Sequence, residues 1–232
     1  MVDIDPEQLP DGEQKRAQVT SMFDAIAPRY DLVNRIMTFG LDVRWRRHTV
    51  RRLGLAPGSL VVDLACGTGD FCRDLQRSGL QPVGFDLSMG MLGAARTEAP
   101  LANADVLHLP VSDASVDGVT CGFALRNFVE LGGFYRELAR VIRPGGRIAL
   151  LEVAQPHNPA IRWGHGVYFG SVVPLIGGVL SDRTAYRYLP KSVAYLPEGP
   201  QLCDDIAAAG FVHVERSLLS TGIAQLIVAT RA

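Results

Sequence analysis

From Ser59 onward, short apolar runs alternate with helical stretches, and this alternation constrains the fold more than any other feature of the chain. The runs SLVVDLA, QPVGFDL, ADVLHL, VDGVTCGFA and GRIALLEVA are rich in branched residues, as strands are. Helical segments lie between them, opening at Asp70, at Ser88 and near Leu131. That order predicts a mostly parallel sheet with helices on both faces. Beyond a variable region, QLCDDIAAAGF reads as a helix, and HVERSLLS with IAQLIVATR as a closing strand pair. The expected class is α/β, Rossmann-like, with a seven-stranded, mostly parallel sheet. A chain of 232 residues accommodates one such domain.

The region before Ser59 follows a different grammar. Residues 1–14, within MVDIDPEQLPDGEQKR, are acidic and polar and read as a flexible tail, not as a secretory signal. Met22, Phe23 and Ile26 then recur at helical spacing, and Pro28 and Gly40 divide the stretch into two short helices. A third helix, DVRWRRHTVRRLGL, is expected to be capped by Asp42 and to stop near Gly54. It carries the basic cluster Arg44, Arg46, Arg47, Arg51 and Arg52. Such a cluster reads as a solvated helix face, or as an attraction to an anionic membrane surface at about 1 kcal/mol per basic residue. The organisation is therefore a single domain over 15–232, with a helical cap at 15–56 and a lid or insert at 155–200.

Composition narrows the function. With 47% hydrophobic and 20% charged residues the chain can bury a full core. A net charge of -1 supplies no global attraction to nucleic acid. The 4 cysteines (Cys66, Cys72, Cys121, Cys203) show no Cys-x-x-Cys spacing and the 5 histidines no His-x-x-x-His pair, so neither a metal site nor a disulfide framework is expected. The apolar run Gly166 to Leu180 is shorter than the ~20 residues of a spanning helix and contains Pro174. The expected location is the cytoplasm, with peripheral membrane contact left open.

The glycine turn in VVDLACGTGDFCRDL bears on the ligand. In an open parallel sheet, ligands sit beyond the carboxyl ends of the strands, and Asp63, Gly67, Thr68 and Gly69 fall at the first such end. Glycine allows the sharp turn and close approach to the backbone. No Gly-Lys-Ser/Thr follows, which excludes a P-loop, and Cys72 stands where a dinucleotide fingerprint has its third glycine. Asp70 opens the next helix, where a carboxylate would repel a pyrophosphate. A cationic ligand reverses that preference. S-adenosylmethionine has a sulfonium and an amino group and no phosphate. Asp86, followed by Leu87, ends the second strand and can accept both ribose hydroxyls; Asp105 ends the next and can face the adenine amino group.

The segments LACGTGD, ARVIRPGGRIALLEVA and GFALRNF resemble class I methyltransferases. FDAIAPRYDLVNRIMTFGLDVRWRR (Phe23 to Arg47), ALRN (Ala124 to Asn127) and DRTAYRYLPKSVAYLP (Asp182 to Pro197) resemble, more narrowly, the ubiquinone/menaquinone-biosynthesis C-methyltransferases. The resemblance runs from Met22 to the C-terminus. It implies transfer of a methyl group from S-adenosyl-L-methionine to a ring carbon of a prenylated quinol such as demethylmenaquinol. By position it places cofactor contacts on Thr68, Asp86, Asp105, Val106 and Gly122. Gly122 stands where the family often has serine. LLEVAQP replaces a Leu-Glu-Phe-Ser pattern, and the ending LLSTGIAQLIVATRA lacks a Gly-Gly-Ile-Val-Ala-x-His run. Those departures leave open a paralogue acting on another prenylated or aromatic small molecule. A non-catalytic cofactor-binding subunit of a quinone-biosynthesis complex is a third reading.

Methylation at carbon needs an electron-rich ring carbon aligned behind the departing methyl, a dry channel and a group that stabilises the ring oxygen. Arg126, at the ligand-binding edge after the fourth strand, suits a developing phenolate; the alternative is an ion pair anchoring a helix end. Tyr30 and Asp31 can roof the site, with Asp31 as base or as partner of Arg126, or as a cap of the helix LVNRIM. Asn34 and Trp45 are candidate pocket residues, with core packing as the other reading of Trp45. The run Gly166 to Leu180 suits a prenyl channel or lid; the alternative is a plain core helix ending at Gly177-Gly178.

Overall fold

The computed structural model describes residues 12–173, 175, 188 and 192–232. Its strands are β1 (Leu60–Leu64), β2 (Gln81–Asp86), β3 (Leu101–Asn103), β4 (Val116–Gly122), β5 (Ile142–Val153), β6 (Phe211–Leu219) and β7 (Ala224–Arg231). They form one seven-stranded sheet in the order β3-β2-β1-β4-β5-β7-β6. The first five strands are parallel, and β7 runs antiparallel to both β5 and β6. The expected class and the closing strand pair are both observed.

Side-chain alternation divides the core between the two faces of this sheet. Val62, Leu64, Ile148 and Leu150 pack with Leu138, Leu202 and Ile206 on one side. The helices there are α6 (Leu131–Val141) and α8 (Gly199–Ala208). Val61, Ala149 and Leu151 pack with Trp45, Leu53, Phe71 and Leu75 on the other. That side is covered by α3 (Leu41–Leu53) and α4 (Asp70–Arg77). Burial on both faces is why the central strands read as continuous apolar runs.

The strand order reverses between β1 and β4, so the crevice for a ligand lies beyond their carboxyl ends. Helix α1 (Gly12–Ile26) crosses that edge. Lys15 Nζ donates to the carbonyl of Phe128, beyond β4 (2.9 Å). Arg16 pairs with Asp105, beyond β3 (2.9 Å). Asp24 accepts hydrogen bonds from Ser88 Oγ (2.6 Å) and Gly90 N (2.8 Å), beyond β2. A Cβ at Gly90, in α5 (Met89–Gly93), would lie 2.7 Å from the Asp24 Cα, so the glycine lets the two helices meet. Met22 and Ile26 of α1, Val33 and Met37 of α2 (Tyr30–Met37) and Met91 form a third core cluster under this roof.

The structure corrects several boundaries. The third strand lies at Leu101–Asn103 and not in ADVLHL, because Asp105 Oδ1 accepts from Leu107 N (3.0 Å) and turns the chain there. Helix α3 starts before Asp42, with Gly40 as its left-handed N-cap (φ 74°); the Asp42 carboxylate instead accepts from Thr38 Oγ1 and Arg46 Nη1, each at 2.7 Å. Helix α1 begins at Gly12, so the last residues of the expected tail are helical and the remainder lies outside the described residues. Within the expected insert, α7 (Pro159–Val167) is capped by Asn158 and continues as a π turn, Tyr168–Val172. Most of Asp182 to Pro197, and the end of the run Gly166 to Leu180, lie outside the described residues. Val173, within that run, is fully buried in the third cluster, which is the core reading of that position.

Candidate active site

The turn after β1 is built from left-handed backbone. Gly67 (φ 55°) and Gly69 (φ 81°) take conformations that glycine adopts without steric cost. A cavity of about 920 Å³ opens against the turn. It is lined by Asp63, Gly67, Thr68, Asp86, Leu87, Asp105, Val106 and Gly122 among the expected cofactor residues, and by Tyr30, Asp31 and Arg126 among the expected catalytic ones. Asn34 and Trp45 line it as well. Gly69 does not: a Cβ there would strike Thr97 Cγ2 at 2.5 Å, so this glycine serves the packing of the turn.

Each expected residue has a definite set of partners. Asp86 accepts from the backbone N–H of Gly67 (2.7 Å) and of Ser88 (2.8 Å), one bond to each carboxylate oxygen. This fixes its carboxylate and leaves further lone pairs for the cavity. Asp63 is buried and accepts from Thr120 Oγ1 (2.8 Å) and Cys72 Sγ (3.5 Å). Asp105 carries the ion pair to Arg16 described above, so the acid expected to face an adenine is shared with the roof. Gly122 lies under the ring of Phe71, where a Cβ would be 2.5 Å from Cε2; a serine there would require Phe71 to move.

The roof differs from expectation at Asp31. It sits in the first turn of α2 behind the cap residue Arg29, and it accepts from Thr68 Oγ1 at 2.6 Å. The helical cap is thereby tied directly to the glycine turn. Asp31 is not the partner of Arg126. That role belongs to Glu152, near the end of β5, whose Oε1 lies 2.5 Å from Arg126 Nη1 and whose Oε2 accepts the Arg126 backbone N–H at 3.3 Å. Arg126 also donates to the Phe123 carbonyl (2.6 Å) and to Ser192 Oγ (3.1 Å). These bonds to described residues use Nε and Nη1. Tyr30 packs edge-on against Phe23 with ring centroids 5.9 Å apart.

A model of the ubiE/COQ5 methyltransferase family matches residues 11–231. The chain belongs to the ubiE/COQ5 methyltransferase family. The demethylmenaquinone methyltransferase of Corynebacterium kroppenstedtii is 39% identical over 221 residues, covering 94% of this chain and 96% of that protein. That of Thermus thermophilus is 42% identical over 221 residues, covering 90% of this chain and 100% of that one. Among solved structures, a SAM-dependent methyltransferase of Thermotoga maritima superposes with a TM-score of 0.66 at 16% identity, over 91% of this chain and 99% of that one. At that identity the likeness is one of fold.

Burial sets the electrostatics of this methyltransferase. Loss of water pushes the Asp63 carboxyl up to about 7, against the lowering effect of its bonds from Thr120 and Cys72. Burial likewise raises Asp86, opposed by the N–H groups of Ser88 and Gly67. It also raises the Tyr30 phenol, against the lowering effect of a bond with Asn34, so that group stays protonated at neutral pH. The turn thus presents carboxylates held in a dry crevice, a setting that a cationic ligand relieves and an anionic one aggravates. The basic cluster of α3 divides. Arg46 is buried among Asp42, Asp70 and Asp74, and Arg52 pairs with Glu215, whereas Arg44, Arg47 and Arg51 are exposed.

The sequence reading missed Glu152, Asn103 and Arg16. Glu152 left a signal, an acid inside the apolar run LLEVA that a central strand does not bury without a partner. Asn103 Nδ2 donates to the carbonyls of Asp86 (3.0 Å) and Leu87 (2.9 Å) and so braces the segment that carries Asp86. Neither Asn103 nor Arg16 has a distinguishing local pattern, since both act across the sheet edge.

Proposed function

We propose that this methyltransferase transfers a methyl group from S-adenosyl-L-methionine to a ring carbon of a prenylated quinol, with demethylmenaquinol as acceptor. The reading rests on one observation: a single cavity is lined both by the acid-rich glycine turn and by Arg126 with Tyr30 and Asp31. The relatives whose names contain demethylmenaquinone supply the choice of acceptor. The donor set fits the methyl donor. Gly67 faces open space where a Cβ would stand, and Asp86 keeps lone pairs beside it. The bound donor contributes an electrophilic methyl on sulfur.

The chain's own residues do the rest. Gly67 lets the ligand lie close to the backbone, Thr68 and Gly122 line the cavity beside it, and Asp86 and Leu87 bind its ribose side, with Asp105 and Val106 near the base. Arg126 holds negative charge on the ring oxygen as its proton leaves, which enriches the carbon to be methylated. Its guanidinium stays charged and cannot act as an ordinary base. Asp31, anchored by Thr68, takes the proton of the ring hydroxyl directly or through water, and Tyr30 closes the roof beside it. The methylated carbon then loses its own proton, so that the aromatic ring and its hydroxyl are restored. The apolar walls contributed by Phe39, Leu41, Phe128, Val129 and Ile161 exclude water and take the first part of the tail. A prenylated acceptor lives in a bilayer, so the reading includes peripheral contact with the membrane surface.

The test is incubation with methyl-labelled donor and demethylmenaquinol. Label on the quinone ring carries the proposal. Label on another aromatic acceptor, with none on demethylmenaquinol, would replace the acceptor; binding of donor without transfer to any acceptor would leave a cofactor-binding subunit.

A further inference from the structure

Helix α2 carries an apolar face that no described residue covers. Leu32 and Ile36 are exposed on it at helical spacing, and Phe39 follows in the turn to α3 with 79% of its surface open. Phe39 is an odd residue for that place. Its backbone is left-handed (φ 51°), a conformation costly for a bulky side chain, and burial gives it no compensating gain. Across the cavity mouth, the Phe39 ring meets that of Tyr168 at 5.8 Å. Tyr168 continues α7, where Trp163 is 75% exposed and Val167 is exposed as well. Phe39, Leu41, Ile161, Gly164 and Tyr168 all line the catalytic cavity, so the apolar rim and the cavity are continuous.

Basic charge lies on α3 and on the α2 side of this rim. Arg44, Arg47 and Arg51 recur at helical spacing on the exposed side of α3, directly after Phe39. Arg35 of α2 reaches toward Asp70, and Arg47 and Arg77 toward Asp74. Arg73 joins Asp70 in the same cluster. Around these two carboxylates Arg35, Arg46, Arg47, Arg73 and Arg77 line a shallow pocket, so guanidinium is in excess there.

We propose that α2, the exposed side of α3 and the outer side of α7 form a docking surface for an anionic lipid bilayer. It rests on the reading of a prenylated acceptor and adds the place where that acceptor enters. Leu32, Ile36, Phe39 and Trp163 enter the headgroup boundary, as aromatic and aliphatic residues of interfacial segments do. The arginines meet lipid phosphates. The cavity mouth then faces the bilayer, and a tail enters beside the Phe39–Tyr168 pair, along Leu41 and Ile161, without crossing water.

Co-sedimentation with vesicles tests this, using phosphatidylcholine alone and phosphatidylcholine mixed with phosphatidylglycerol. The full chain is expected to bind the mixed vesicles, weakly the neutral ones, and less at high salt. Arg44→Gln with Arg47→Gln should lower affinity for mixed vesicles by roughly ten- to thirtyfold. Leu32→Gln with Ile36→Gln and Trp163→Gln should lower it at least about tenfold. None of these residues lines the catalytic cavity, so methyl transfer to a short-tailed, water-soluble quinol should stay at the parent rate in every variant. No binding to mixed vesicles, or binding that all the variants retain, overturns the proposal. So does a self-associated parent chain that ignores vesicles and is dissociated by the apolar substitutions, since the face would then join two copies. Failure of the parent to methylate any quinol would remove the functional reading while leaving the vesicle result to stand or fall by itself.

Discussion

Arg126 Nη1 and Glu152 Oε1 lie 2.5 Å apart where the carboxyl ends of β4 and β5 meet, and both side chains are almost wholly buried. The pair joins the segment after β4 to the end of β5 and holds a guanidinium against the cavity. Removing one partner would leave the other charge buried and uncompensated. Glu152→Ala is therefore expected to cost about 3–5 kcal/mol in unfolding free energy, measured by chemical denaturation. A loss under about 1 kcal/mol, the level of an exposed pair, would show that water reaches the site and relieves the charge.

The kinetic counterpart concerns Arg126. If it stabilises charge on the acceptor ring, Arg126→Ala should lower turnover at saturating donor by the equivalent of about 2.7–4 kcal/mol, with donor affinity nearly unchanged. Arg126→Lys should restore only part, because an ammonium cannot hold Glu152, the Phe123 carbonyl and the ring oxygen with one fork. Near-normal turnover in a folded Arg126→Ala chain would assign the arginine to anchoring alone.

Asp86 offers a test on the donor side. Its two backbone bonds preorganise the carboxylate, so Asp86→Ala should weaken donor binding by roughly 1.5–3 kcal/mol, about tenfold or more. Calorimetry on the folded variant decides it; unchanged affinity would move the ribose contact elsewhere.

A pH dependence follows from Asp63. Its carboxyl is raised to about 7 by burial, whereas in the unfolded chain it titrates near about 4. The folded state therefore binds the proton more tightly, and the stabilisation from this group is fully present below about pH 4 and is lost as pH rises through about 7. Asp63→Asn should gain stability relative to the parent chain across that window. Denaturant midpoints of the two chains would be compared along it, and a difference that does not change with pH would refute the assignment.

Gly122 gives a packing prediction. A Cβ there would press on Phe71, so Gly122→Ala should destabilise by about 1–3 kcal/mol, read from thermal or denaturant unfolding. Phe71→Leu in the same chain should recover part of the loss. Strict additivity of the two substitutions would mean that the ring is not what excludes the side chain.

Local chemistry was enough to determine much of this protein. The period of the apolar residues separates strands from helices, and the run of branched residues marks the strands buried on both faces. The glycine turn, with Asp63 before it and Asp86 at the next strand end, marks the ligand edge, because turn geometry and strand ends are properties of a few consecutive residues. Tertiary structure decided which charges meet. Asp31 goes to Thr68 and not to Arg126, Glu152 takes Arg126, Arg16 takes Asp105, and Arg46 leaves the surface for three carboxylates. Each of these pairs except Arg46 with Asp42 joins segments distant in sequence, and the choice among competing partners depends on the burial that the assembled sheet and its helical roof impose. A buried charge must find its counter-charge in three dimensions, and no local pattern carries that information.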